Sequence, residues 1–212
     1  MTNQVKYTLQ TTIRRVIYLV VMCLVVILLW KLADAYKSDF VIEYGPIETA
    51  QSVLCLLIAT SFALQAVWNR EQRPLLLFLA SLGLAALIRE QDKWFEIHLP
   101  AVSWYFCWIF PAAAIINLCV KRAGNSILQF LQSGSFNMMF TAMVIIIPVA
   151  QMLGHRSFLA DLINTPRVDT IILRRLVEEP IELLGYMQIL LASFEFLIEH
   201  IKSGKMVKND LR

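Results

Sequence analysis

The segment Arg89-Glu90-Gln91-Asp92-Lys93-Trp94-Phe95-Glu96-Ile97-His98 sets three carboxylates, two basic groups and a histidine within ten residues. Groups of these types can gather a cation, pass a proton, hold a polar head group or supply a general base. Their position in the chain sharpens the point. The run before them, Leu75 to Ile88, holds 14 uncharged residues. A helix covers about 21 Å in that length, and a bilayer core needs about 30 Å. Either this span is short, or Arg89, Glu90, Asp92 and Lys93 lie at membrane depth. Ionisable groups at that depth are costly and face a protein interior or a wet cavity. If the segment is one helix, Arg89, Asp92, Lys93 and Glu96 share one face, and Glu90, Trp94 and His98 share another.

Further charges sit at the same predicted membrane face. Pro46-Ile47-Glu48 opens one apolar run and Pro180-Ile181-Glu182 opens another. Proline at the first helical position with a carboxylate two residues on is a common helix start, and the helix dipole alone accounts for the acid. Only 12 uncharged residues separate Glu182 from Glu195. Counting up from Lys202 puts Glu199 and Glu195 near the inner boundary and Glu182 near the outer one. Gln188, between them, is expected to bond a neighbouring helix. The candidate ligand-binding set is therefore Glu48, Arg89, Glu90, Asp92, Glu96, Arg174, Arg175, Glu178 and Glu182. Carboxylates alone would suit a hard cation. Arg174 and Arg175 fit either internal salt bridges or a lipid phosphate better than a bare metal.

The sequence requires no cofactor. A bound metal would need His98 and His155 together with carboxylates, a mixed zinc-type set. His200 falls at the opposite membrane boundary, so three histidines cannot meet one ion. Cys23, Cys55, Cys107 and Cys119 all lie in apolar runs without a Cys-x-x-Cys pair and read as small hydrophobes.

The elements that must carry these groups are long and apolar. Hydrophobic residues make up 58% of the 212 positions, against about 45–50% for soluble domains. The pattern predicts an all-α, polytopic integral membrane protein in one domain, 1–212. Six spans are expected, at roughly 14–33, 46–68, 75–94, 101–120, 135–154 and 180–200, joined by short loops. Asp169 looks like an N-cap, so an outer amphipathic helix is expected near 169–179, with the i,i+4 pairs Arg174–Glu178 and Arg175–Glu179, running on towards Pro180 and span six. Arg14-Arg15 before Val16–Trp30, with Ala33-Asp34-Ala35 after it, resembles a signal peptide, but the bulky run and the Trp30-Lys31 anchor favour an uncleaved first helix.

With both termini cytoplasmic, the inner segments carry 11 of the 19 basic residues and four of the 16 acidic ones, as the positive-inside rule asks. The net charge of +3 then reflects anchoring to an anionic leaflet, and a nucleic-acid partner is not implied. Residues 123–135 are polar-amphipathic and are expected to lie in the inner interface. Bacterial inner membrane is the expected location.

Several chemistries are excluded. The chain has no phosphate-binding glycine loop, no Gly-x-Ser-x-Gly elbow and no repeating arginine series. Three readings stay open. The first is an outward-facing acidic and arginine cluster that binds or conducts a small cation, a proton or a lipid head group. The second is an assembly subunit whose salt bridges orient helices and which meets a membrane-protein partner or a second copy. The third is a membrane-embedded lipid hydrolase or transferase with a carboxylate as general base.

Overall fold

The computed structural model describes residues 3–36, 45–99, 104–153, 155 and 169–210. It is all-helical, with no strand among the described residues. The helices are α1 (Asn3–Tyr36), α2 (Pro46–Trp68), α3 (Arg73–Glu90), α4 (Asp92–His98), α5 (Ile109–Val120), α6 (Gly124–Leu131), α7 (Gly134–Val144) and α8 (Asp169–Asp210). A 3-10 turn, Trp104–Trp108, leads into α5. α7 continues through π-helical turns, Ile145–Ala150, to a last α-turn, Gln151–Leu153.

Four of these helical stretches are long and apolar enough to cross a membrane: Thr8–Tyr36, Pro46–Trp68, Gly134–Leu153 and Arg175–Ile201. A fifth results if Tyr105–Val120 and Gly124–Leu131, bent by 112°, count as one broken span. The expected count of six therefore does not carry over. Expected span three is in neither count, and expected span four (101–120) enters only through the bent pair. α3 stops at Glu90, where Gln91 leaves the helical region at φ −102° and ψ 18°. The Gln91 N–H bonds Ile88 O at 3.1 Å, a tightened last turn. Its side chain donates to Ser52 Oγ on α2 at 2.7 Å. The chain then restarts in a new direction as α4.

The outer helix expected near 169–179 does run on into the span 180–200, as one continuous helix, α8, that passes through Pro180. Proline removes a helix N–H. Beside it, Gln51 Nε2 supplies a donor to Glu179 O at 3.0 Å.

The helices pack around α8. Leu29 on α1, Ile47 on α2 and Leu183 form one buried cluster at what is here termed the upper end. A larger core of Ile58, Phe62, Leu76, Leu79, Phe130 and Phe196 fills the middle and lower parts. Phe130 packs edge-on to Phe136 and Phe196, with ring centroids 5.4 and 5.6 Å away. At the lower end Glu199 accepts from Gly134 N–H and Ser135 Oγ, each at 3.1 Å, and so closes the start of α7. Gln188 does bond its neighbour, donating to Met138 O on α7 at 3.0 Å.

At Gly83 α3 comes close to α2. A Cβ there would stand 2.9 Å from the backbone nitrogen of Ala59. Backbone cannot step aside as a flexible side chain can. Gly83→Val is therefore expected to lose about 1–3 kcal/mol of stability, read by denaturant unfolding of the full chain in mild detergent. Unchanged stability would mean that the two helices can part freely.

Candidate functional site

Four helices deliver polar groups to the upper end. α8 presents Glu178, Glu182 and Tyr186, spaced four residues apart and so on one stripe. α3 ends in Arg89 and Glu90, α2 contributes Gln51 and Ser52, and Gln151 follows the π-helical turns. Glu178, Glu182, Tyr186 and Gln51 are all buried.

The contacts form one network. Arg89 Nη2 donates to both oxygens of Glu182, at 3.2 and 3.1 Å. The same nitrogen lies 3.1 Å from Glu90 Oε1. Tyr186 O–H donates to Glu90 Oε1 at 2.8 Å. Gln151 Nε2 bridges Glu178 Oε1 at 2.8 Å and Glu182 Oε1 at 2.9 Å. Arg89 and Glu90 were expected on different helix faces, yet both reach side chains of α8, Arg89 at Glu182 and Glu90 at Tyr186. Glu48 and Glu179 lie within electrostatic reach of Glu90. Carboxylates thus outnumber the guanidinium that binds them, and hydrogen bonds from Tyr186 and Gln151 share the load.

Beneath this network lies a cavity of about 400 Å³. Its walls are almost wholly apolar and include Phe62, Leu79, Met139, Met143, Ile146 and Ile189. Arg89 and Tyr186 form its polar end. The Arg89 side chain keeps 40% of its surface open, and it lines this space. Cys55 and Cys107 contribute thiols to the wall. The arrangement can seat a molecule with an apolar body and a polar head.

No family model, characterised protein or solved structure matches this chain. Its site must be read from its own geometry.

Of the nine residues expected to bind a ligand, Arg89, Glu90, Glu178 and Glu182 come together in the network. Glu48 sits in the first turn of α2 beside them. Arg175 is half-buried two turns above Glu182. Asp92 and Glu96 ride on α4, beyond the break at Gln91, and neither bonds the Arg89–Glu182 pair. The Arg174 side chain lies outside the described residues. His98 and His155 are exposed. The His98 ring stacks on Trp94 at 4.7 Å between centroids, and its Nδ1 lies 3.0 Å from Trp94 O. Among the described residues no group of three His, Cys, Asp or Glu side chains could hold a metal ion.

Sequence reasoning missed Tyr186, Gln151 and Gln51. Tyr186 follows Glu182 by one helical turn, which is the signal that could have found it. It also missed a second buried ion pair at the lower end. Arg14 Nε and Nη2 fork onto Glu195 at 2.9 and 2.6 Å, and Tyr18 O–H donates to the same carboxylate at 2.9 Å.

Proposed function

We propose that this chain is a multi-pass membrane protein that binds an amphipathic molecule between its helices. The apolar body occupies the cavity walled by Phe62, Leu79 and Met143, and the polar head meets Arg89 and Tyr186. The observation that carries this reading is that an almost wholly apolar cavity ends on these two groups, with three carboxylates, Glu182, Glu178 and Glu90, behind them. Arg89 is already engaged by Glu182 and Glu90. The part of the guanidinium that stays open offers N–H donors only, so a head group with hydrogen-bond acceptors, neutral overall because Glu182 and Glu90 stand behind, suits the site better than a bare cation. The bacterial inner membrane, with both termini cytoplasmic, is the setting we assign it.

The test is native mass spectrometry of the full chain in mild detergent. The wild type is expected to carry a co-purified amphiphile. Ala86→Phe, which projects a ring into the cavity, is expected to lose it while helix content stays unchanged. Equal occupancy in the two proteins would overturn the reading.

One observation favours an assembly role alongside this. Between Leu19 and Trp30 α1 is apolar around its circumference, and Leu29 is the one buried hydrophobic residue of α1 among those described. Such a helix faces either lipid or a partner helix.

A further inference from the structure

The lower end of the bundle carries charged groups that the cavity does not use. They gather around the turn between α5 and α6. That turn closes the last carbonyls of α5: Lys121 N–H bonds Asn117 O at 3.0 Å and Ala123 N–H bonds Leu118 O at 3.1 Å. The six-to-one bond of Ala123 is the mark of a Schellman turn, which needs a left-handed residue just before it. Arg122 fills that position at φ 49°. Glycine is the usual occupant, because a Cβ is strained there. Among the described residues no other non-glycine residue has a positive φ.

A strained arginine invites a reason. Favourable interaction with the α5 dipole is one, but Lys121 meets that need without a side chain at 122. The surroundings offer a better one. Ser126 Oγ on α6 donates to Glu71 O at 3.2 Å, and Gln72 Nε2 donates to Gln129 Oε1 at 3.1 Å. These bonds hold the α2–α3 turn, with Arg70 and Arg73, along α6. Arg70, Arg73, Lys121 and Arg122 are all exposed. No ion pair reaches any of them among the described residues. Glu71 is the acid in their midst. Beside the cations, Trp68, Val120, Leu128 and Leu131 expose apolar surface. α6 itself lies across the end of the bundle, bent 112° from the preceding helix. A short helix that shows apolar side chains beside a ring of basic ones is suited to the head-group layer of an anionic leaflet.

We infer that this end is a docking surface for anionic phospholipid, and that Arg122 is held in its left-handed turn to grip a lipid phosphate. The inference rests on the membrane reading above. A guanidinium forks onto phosphate oxygens, and glycine in the same turn would relieve the backbone but lose that grip.

The contrast between Arg122→Gly and Arg122→Lys tests it. The full-length wild type, freed of co-purified lipid in mild detergent, is titrated separately with phosphatidylglycerol, phosphatidylcholine and inorganic phosphate, and bound lipid is counted by native mass spectrometry. Wild type is expected to prefer phosphatidylglycerol and to ignore inorganic phosphate. Arg122→Gly should bind phosphatidylglycerol about fivefold more weakly while its melting temperature holds or rises. Arg122→Lys, strained but charged, should keep most of the preference. Unchanged binding in Arg122→Gly overturns the inference, as does equal retention of the two lipids. So does a response to inorganic phosphate alone. A chain recovered from the aqueous fraction of cells would overturn the membrane reading and this one together. A membrane-bound chain without lipid preference would overturn this one only.

Discussion

Arg89→Ala is expected to cost about 3–5 kcal/mol of stability, the penalty for leaving buried carboxylates without their cation. Glu182 would keep only Gln151, and Glu90 only Tyr186, of the partners that now hold their oxygens. Each remaining bond is neutral, and a neutral donor offsets a buried charge less well than a guanidinium does. Because part of Arg89 is open to the cavity, entering water can share the load, which favours the lower part of that range. A double replacement separates charge from packing. Arg89→Met with Glu182→Met removes this pair and keeps the volume filled, and is expected to recover part of the loss, since Glu90 still lacks its cation. Denaturant unfolding in mild detergent measures both variants. If the double variant is as weak as the single one, the network is held by shape rather than by charge compensation.

The second large effect is expected at the opposite end. Glu195→Ala strands Arg14, whose side chain is 15% exposed, and removes the acceptor of Tyr18. A loss of about 3–5 kcal/mol is again expected, but its form should differ. α1 meets the rest of the bundle mainly along α8, through this ion pair and the Leu29–Leu183 cluster. Losing the pair should therefore undock α1 before the remaining helices unfold. Cysteines introduced at Val25 and Leu184, two positions packed on that cluster, provide the readout. They are expected to cross-link readily in the wild-type background and poorly beside Glu195→Ala. Tyr18→Phe should cost only about 1 kcal/mol, since it deletes one hydrogen bond. Undiminished cross-linking would show that apolar packing alone seats α1.

Span-length reasoning picked out Arg89, Glu90, Asp92 and Lys93 because a charge inside an apolar run carries a penalty that can be noticed; Arg89 and Glu90 fall in the network, while Asp92 falls on α4 beyond the break. Gln151 and Tyr186 carry no such penalty and left no comparable mark in the sequence, although they hold the carboxylates in place. The run of α8 towards Pro180 was legible, since Asp169 and the (i, i+4) charge pairs both favour a helix there. Its unbroken course through Pro180 was not, because proline resembles local punctuation and only packing on α2 and α7 overrides it. No glycine or proline announces the break at Gln91. It coincides with a side-chain bond to Ser52, 39 residues earlier in the chain. The ion pair of Arg14 and Glu195 joins residues 181 positions apart, and each was assigned to the boundary separately because nothing local links them. Helix α2 was legible at both ends because proline and a polar turn bound it.

The π-helical turns at Ile145–Ala150 act as a phase shifter. A π turn takes one more residue than an α turn, and such bulges often stand at functional sites. In an unbroken α-helix the direction of Gln151 would be dictated by the direction of Ser135, because each residue advances the azimuth by about 100°. The wider turns uncouple the two. The start of α7 can meet Glu199 while its far end independently aims an amide at Glu178 and Glu182. One helix thereby clamps α8 at both ends without having to be wound in step with it.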